Sequence, residues 1–132
     1  MVDFIAVHLD SKEFDAITAV PLDPDKKMER GFNQSELLSK PLAKQLGLPD
    51  LSKDLTRVAS SRPQFVLKKT DRERNVRGCF SVKNPSLFFS KRVLLIDDIL
   101  TTGQTVSECA RVLKDAGTQS VTVLALARGL SG

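Results

Sequence analysis

Val93-Leu94-Leu95-Ile96-Asp97-Asp98-Ile99-Leu100-Thr101-Thr102-Gly103-Gln104-Thr105-Val106-Ser107-Glu108 is the stretch that decides the fold. Its first four residues form an unbroken apolar run, the pattern of a central parallel strand covered on both faces. Thr105 and Glu108 match a T-x-x-E capping box, and Val106, Cys109, Ala110 and Leu113 recur at helical spacing until Gly117 offers a C-terminal stop. Val121 to Leu126 then reads as a second buried strand. Strand, loop, helix and strand in this order make a right-handed crossover unit. The expected architecture is therefore one α/β domain with a parallel sheet flanked by helices.

Working towards the N-terminus, Ala16 to Val20 is a short apolar run stopped by Pro21 and Pro24, a strand that ends in a loop. Asn33 is a good helix N-cap with Glu36 three residues on, and Leu38, Leu42 and Leu46 fall on one face before Gly47 and Pro49 close the helix. Pro41 lacks the N–H that would bond the carbonyl of Leu37, which predicts a kink or a break. Between Leu48 and Asn75 the pattern weakens. Val66 and Leu67 suit part of a strand, while Ser60 to Pro63 and Lys68 to Arg77 read as loop. Cys79 to Val82 predicts a short strand, followed by a turn at Asn84, Pro85 and Ser86.

The 132 residues, 41% of them hydrophobic, supply the core of one domain and exclude two. The longest apolar stretch, Val121 to Ala127 with Thr122 inside it, is far below the roughly 20 residues that span a bilayer, so no membrane insertion is expected. Met1 to Asp10 carries two acids and one His, unlike a secretory signal, and a cytoplasmic location follows as the expectation. Cys79 and Cys109 form neither a CxxC knuckle nor a disulfide framework and read as reduced core residues. His8, the only histidine, is expected on the exposed side of an N-terminal helix, which makes a Ser-His-Asp or Cys-His hydrolase a poor reading.

The net charge of +4 is unevenly spread. Residues 1–25 carry one Lys and six acids, residues 26–92 sixteen Lys or Arg and six acids, and residues 93–132 three Lys or Arg and four acids. A basic middle between acidic ends points to a polyanionic partner, either a nucleic acid or a phosphorylated small molecule.

The segment Asp97 to Thr105 favours the small molecule. In open α/β sheets ligands sit beyond the carboxyl ends of the strands, and a helix N-terminus binds anions through its free N–H groups. Thr101, Thr102, Gly103, Gln104 and Thr105 can wrap one phosphate, with hydroxyl donors and a glycine where the backbone approaches an oxyanion. Asp97 and Asp98 are acceptors suited to the vicinal hydroxyls of a ribose, and they can reach Mg²⁺ through water. A ribose 5-phosphate satisfies both halves. The segment has neither the G-x-x-x-x-G-K-[ST] of a P-loop nor the G-x-G-x-x-G of a dinucleotide fold. A receiver-like acidic pair would leave the threonines without a role, and a plain capped helix needs neither Gly103 nor two further threonines.

Four apolar residues, Asp-Asp, two apolar residues and T-T-G-x-T resemble the signature of type I phosphoribosyltransferases. Pro21-Leu22, Glu29 to Gln34, Arg72 with Asn75, Gly78 and Phe80, and Leu124 to Arg128 are similar to the competence protein F branch of that fold, over nearly the whole chain. The resemblance implies a loop binding the ribose 5-phosphate of 5-phosphoribosyl 1-diphosphate, with Mg²⁺ as cofactor. It also implies a diphosphate loop after the first strand, at Pro21 to Arg30, where Lys26, Lys27 and Arg30 neutralise the diphosphate. A flexible lid over residues 55–77, with Arg72 and Asn75, would close on the ligand. The segment from Lys53 to Arg92 carries eleven Lys or Arg against three acids, as a lid meeting a diphosphate requires. Members of that branch usually open with a cysteine-rich, zinc-binding segment, and nothing like it precedes Asp15. The acceptor is not readable, and a homodimer is compatible with the resemblance.

Three functions compete at this level. The first is an enzyme that transfers the phosphoribosyl group, with Asp97 and Asp98 at its catalytic centre. The second is a non-catalytic domain binding phosphoribosyl diphosphate or a nucleotide in competence, that is, DNA uptake. The third is a basic nucleic-acid-binding module. Against the third, the chain has seven Phe but no Tyr or Trp, and within residues 53–77 only Phe65 can stack on a base.

Overall fold

The computed structural model describes residues 11–22, 33–58, 78–100 and 103–128, with residues 11, 98–100 and 126–128 described by backbone alone. His8, Val66 and Leu67 lie outside these residues. The elements are β1 (Ala16–Ala19), α1 (Gln34–Leu46), β2 (Leu55–Arg57), β3 (Phe80–Val82), α2 (Pro85–Phe88), β4 (Arg92–Leu100), α3 (Gln104–Asp115) and β5 (Ser120–Arg128). Single 3₁₀ turns occupy Ser11–Glu13 and Ser52–Asp54.

Strands β1, β4 and β5 form a parallel sheet in the order β1-β4-β5. The central place of β4 explains its apolar run, because both its faces are covered. Leu94 and Ile96 pack with Phe14, Ile17, Leu42 and Ala43 on the α1 side. Val93 and Leu95 pack with Val106, Cys109 and Leu113 of α3, and with Leu55, Phe80 and Phe88, on the other side. Strands β2 and β3 pair antiparallel as a separate two-stranded ribbon, with Leu55 opposite Val82 and Arg57 opposite Phe80. The parallel sheet flanked by helices is thus present as the sequence implied.

Four local expectations need correction. The helix containing Pro41 is not broken: α1 runs through it from Gln34 to Leu46. Leu37 and Pro41 both lie on its exposed side, where solvent is available to the carbonyl that loses its donor. Asn33 caps α1 by accepting from the Ser35 N–H at 3.0 Å, and Gly47 ends it at φ 71°. Strand β5 runs longer than expected and, among the described residues, lies at the sheet edge and not in its interior. Thr122 and Val123 are accordingly exposed. The turn at Pro85 is a helical turn, α2, started by that proline. Residues 55–57, expected to begin a lid, are instead a strand whose Leu55 is part of the core.

At the amino end of the sheet Asp15 and Arg92 hold β1 to β4. The guanidinium donates from Nε to Oδ2 at 3.0 Å and from Nη2 to Oδ1 at 3.2 Å, and the Arg92 N–H donates to Oδ2 at 2.9 Å. These bonds, the side-chain ones foremost, hold the Asp15 carboxyl at about 2, below its usual range. A depressed carboxyl stabilises the fold above its unfolded value and loses that contribution as pH falls towards its folded value. Asp15→Asn is therefore expected to melt below wild type at neutral pH, with the gap narrowing from about pH 4 and closing near pH 2 in melting curves taken across that range. Thr18 is fully buried in β1, and its hydroxyl has no hydrogen-bond partner among the described residues. Thr18→Val, which keeps the shape and removes the unsatisfied group, should raise stability by about 1 kcal/mol in denaturant titrations.

Candidate phosphate and ribose site

The carboxyl end of β4 lies at the middle of the sheet's carboxyl edge, flanked by β1 and β5. The sequence placed Asp97 and Asp98 in a loop, but β4 continues through them to Leu100. Pairing of Asp97 with Ala125, Ile99 with Ala127 and Leu100 with Arg128 supplies the ladder that extends the strand. Asp97 is buried at the end of this run, only 9% exposed. Burial first, and the charge of Asp97 next, push the Cys109 thiol of α3 well above its ordinary range. Alternation along β4, with Val93 and Leu95 on the α3 side, puts Asp97 on that side too, and Cys109 stays an inert thiol. Cys79 is less deep and packs at the margin of the same core.

The connection from β4 to α3 is short. Gly103 occupies the N-cap of α3 at φ 80°, ψ −4°, and no side chain caps the helix among the described residues. A Cβ at Gly103 would meet no atom within 4 Å, so glycine is required there by the left-handed backbone and not by crowding from the chain. The first-turn N–H groups of α3, with Gln104 and Thr105 at its start, thus have no side-chain cap among the described residues, and free N–H groups at a helix start are what bind an anion.

The expected capping box is not formed. Glu108 is buried and turns away from the helix start: it accepts from the Gly78 N–H at 2.8 Å and from Arg111 Nε and Nη2 at 2.6 and 2.7 Å. It ties α3 to the chain entering β3. The T-x-x-E spacing misled because a buried carboxylate found a stronger donor set across the core than the helix cap offers.

Of the other residues singled out, Thr101, Thr102, Lys26, Lys27, Arg30, Arg72 and Asn75 lie outside the described residues. The structure does show how the loop after β1 is anchored. The Val20 N–H donates to the Ile96 carbonyl at 2.9 Å, and Asn33 Nδ2 donates to the Val20 carbonyl at 3.2 Å. Asn33 thus caps α1 and clasps the two ends of the segment it follows. Ser52 Oγ accepts from the Ala19 N–H at 2.9 Å, and Asp50 in turn accepts from the Ser52 N–H at 2.9 Å, the Ser52 hydroxyl and the Ser39 hydroxyl. Sequence reading identified Asn33 as a cap and as part of the Glu29 to Gln34 motif, and it missed Asp50 and Ser52, which bond to each other and reach Ser39 and Ala19 more than ten residues away.

The phosphoribosyl transferase domain profile matches residues 33–132. The chain belongs to the phosphoribosyltransferase family. Among curated proteins it is 36% identical over 115 residues to competence protein F of Haemophilus influenzae, covering 86% of this chain and 50% of that one. It is 39% identical over 116 residues to the DNA utilization protein YhgH of Salmonella typhi, covering 88% and 50%. The chain thus spans about half the length of these curated relatives. Its fold is similar to the glutamine phosphoribosylpyrophosphate amidotransferase of B. subtilis, with a TM-score of 0.64 at 23% identity, covering 94% of this chain and 24% of that one. A purine phosphoribosyltransferase from Pyrococcus horikoshii gives 0.62 at 17% identity, covering 96% and 68%.

Among the described residues no three His, Cys, Asp or Glu side chains converge into a metal cage. Among those residues no helix is long and apolar enough to cross a membrane. Removing the Glu108 carboxylate leaves the Gly78 N–H without its acceptor, so Glu108→Ala should lose about 1–3 kcal/mol in chemical denaturation, with Glu108→Gln keeping an acceptor and losing less.

Proposed function

We propose that this chain binds 5-phosphoribosyl 1-diphosphate with Mg²⁺ and transfers the phosphoribosyl group to an acceptor. The observation that carries the reading is the N-terminus of α3, capped by Gly103 without a side-chain partner, at the carboxyl end of the central strand. In this reading Thr101 to Thr105 bind the 5-phosphate, and Asp97 and Asp98 accept from the ribose hydroxyls. Lys26, Lys27 and Arg30 receive the diphosphate, while Arg72 and Asn75 belong to the segment that covers it. Mg²⁺, carried on the diphosphate and water, supplies neutralising charge.

The bond from C1 of the ribose to the diphosphate oxygen breaks as the acceptor's nucleophile bonds to C1, and diphosphate departs with the electron pair. The centre develops oxocarbenium character, which a carboxylate at Asp97 or Asp98 stabilises electrostatically. The protein's part is then positioning, through a phosphate held at one end and a diphosphate at the other. The names of the curated relatives support a second reading, in which the same site binds without transfer in competence or DNA utilization.

Calorimetric titration with phosphoribosyl diphosphate and Mg²⁺ is expected to show saturable heat in wild type and at least about tenfold weaker binding in Asp98→Asn. Absence of saturable heat, or equal binding by the variant, would overturn the site. Release of diphosphate on incubation with candidate bases distinguishes transfer from binding alone. Association with DNA that falls steeply as salt rises would point to the nucleic-acid reading instead.

A further inference from the structure

Helix α3 carries two features one turn apart, the start at Gly103 without a side-chain cap and the buried carboxylate of Glu108. Glu108 Oε2 reaches the chain entering the β2–β3 ribbon, where it accepts from the Gly78 N–H at 2.8 Å. The same carboxylate is gripped from its own helix. Arg111 donates from Nε to Oε1 at 2.6 Å and from Nη2 to Oε2 at 2.7 Å, and its Nη1 donates to Asp115 at 3.0 Å. A two-pronged guanidinium fixes the plane of a carboxylate as well as neutralising it. Gly78 is therefore tied to α3 as a body, and not to a side chain free to swivel.

A single neutral acceptor would satisfy one N–H, and an ion pair buried in its place adds little to stability, because desolvation offsets the attraction. What the pair adds is orientation, and it acts at the root of the ribbon. Gly78 has a left-handed backbone at φ 81°, with no atom within 4 Å of where a Cβ would stand. One residue on, the Cys79 carbonyl accepts from the Val58 N–H at 2.7 Å and closes the ribbon. Phe80 then enters the core shared with Val106 and Cys109 of α3. Gly78 is also the first described residue after the stretch to which Arg72 and Asn75 belong.

We propose that Glu108 is a positioning residue, which couples the phosphate-binding start of α3 to the β2–β3 ribbon through the Gly78 N–H. The proposal rests on the phosphate reading of that helix start. A phosphate seated there fixes the first turn of α3, and the clamped carboxylate carries the constraint one turn along the helix to Gly78. The coupling is reciprocal: whatever steadies the ribbon tightens phosphate binding by the same factor.

A ligand that reaches only one end of this link tests it. Ribose 5-phosphate has the groups assigned to Asp97 to Thr105 but no diphosphate. Added to the isotope-labelled 132-residue chain, it is expected to shift the amide NMR signals of Gln104 and Thr105 saturably. It should also slow hydrogen exchange of the Gly78 amide about tenfold. The readout is the ratio of exchange rates with and without ligand, which a brace unconnected to the site leaves at one. In Glu108→Ala the shifts at Gln104 should persist while the slowing at Gly78 is lost, and Glu108→Gln, which keeps an acceptor, should restore part of it. Arg111→Met alters an exposed residue and leaves the acceptor in place, and the slowing should fall at least about threefold there. No response at Gln104 in wild type would overturn the phosphate reading and this proposal with it. A response at Gln104 with Gly78 unchanged would overturn this proposal alone. So would the wild-type ratio in Glu108→Ala or, should that variant not fold, in Arg111→Met.

Discussion

Alternation along β4 is the constraint on which the rest of the molecule depends. Leu94 and Ile96 face α1 while Val93 and Leu95 face α3 and the ribbon, so one nine-residue strand serves two cores at once. Burial on both faces fixes its register against β1 and β5, since a shift by one residue would exchange the two sets of side chains and carry Asp97 to the other face. The carboxylate at the end of the strand and the helix that follows it are therefore positioned by apolar packing several residues away. The chemistry of the site is polar, but its placement is set by hydrophobic burial.

That dependence explains what was legible in the sequence. The apolar run at Val93 to Ile96, the period of α3 and the strand at Ala16 are local patterns, and they were enough to reveal the parallel sheet and the direction in which its ligand end points. Strand β2 was not legible, because Leu55-Thr56-Arg57 offers one buried apolar residue and gains its strand character only from pairing with Phe80 to Val82. The role of Glu108 was misread for a related reason. A motif defined by spacing along the chain describes one option for a side chain, and a donor brought from Gly78, thirty residues earlier, outcompeted it. The reach of β4 through Asp97 and Asp98 was hidden in the same way, since two carboxylates in a row read as loop until an edge strand is present to pair with them.

Polar side chains do their structural work at the boundaries between sheet and loop. Asn33 and Ser52 satisfy backbone groups where β1 ends, Asp50 holds Ser52 in place through its N–H, and Glu108 satisfies a backbone N–H where β3 is about to begin. Each of the four joins segments distant in sequence, and each stands beside a stretch that carries candidate ligand-binding residues. Basic residues are abundant in those stretches and scarce in the framework around them, so charge and packing are divided between different parts of the chain.

The Asn33 clasp has a consequence for how such a protein can change over time. With Val20 and Asn33 joined by a hydrogen bond, the framework residues on either side of the intervening segment are held together independently of what lies between them. The entropy of closing a loop rises only slowly with its length, by about 0.6 kcal/mol for a doubling. Residues between Pro21 and Phe32 can therefore be exchanged, lengthened or shortened at little expense to folding. A new ligand preference can arise there while the β1-β4-β5 sheet stays as it is.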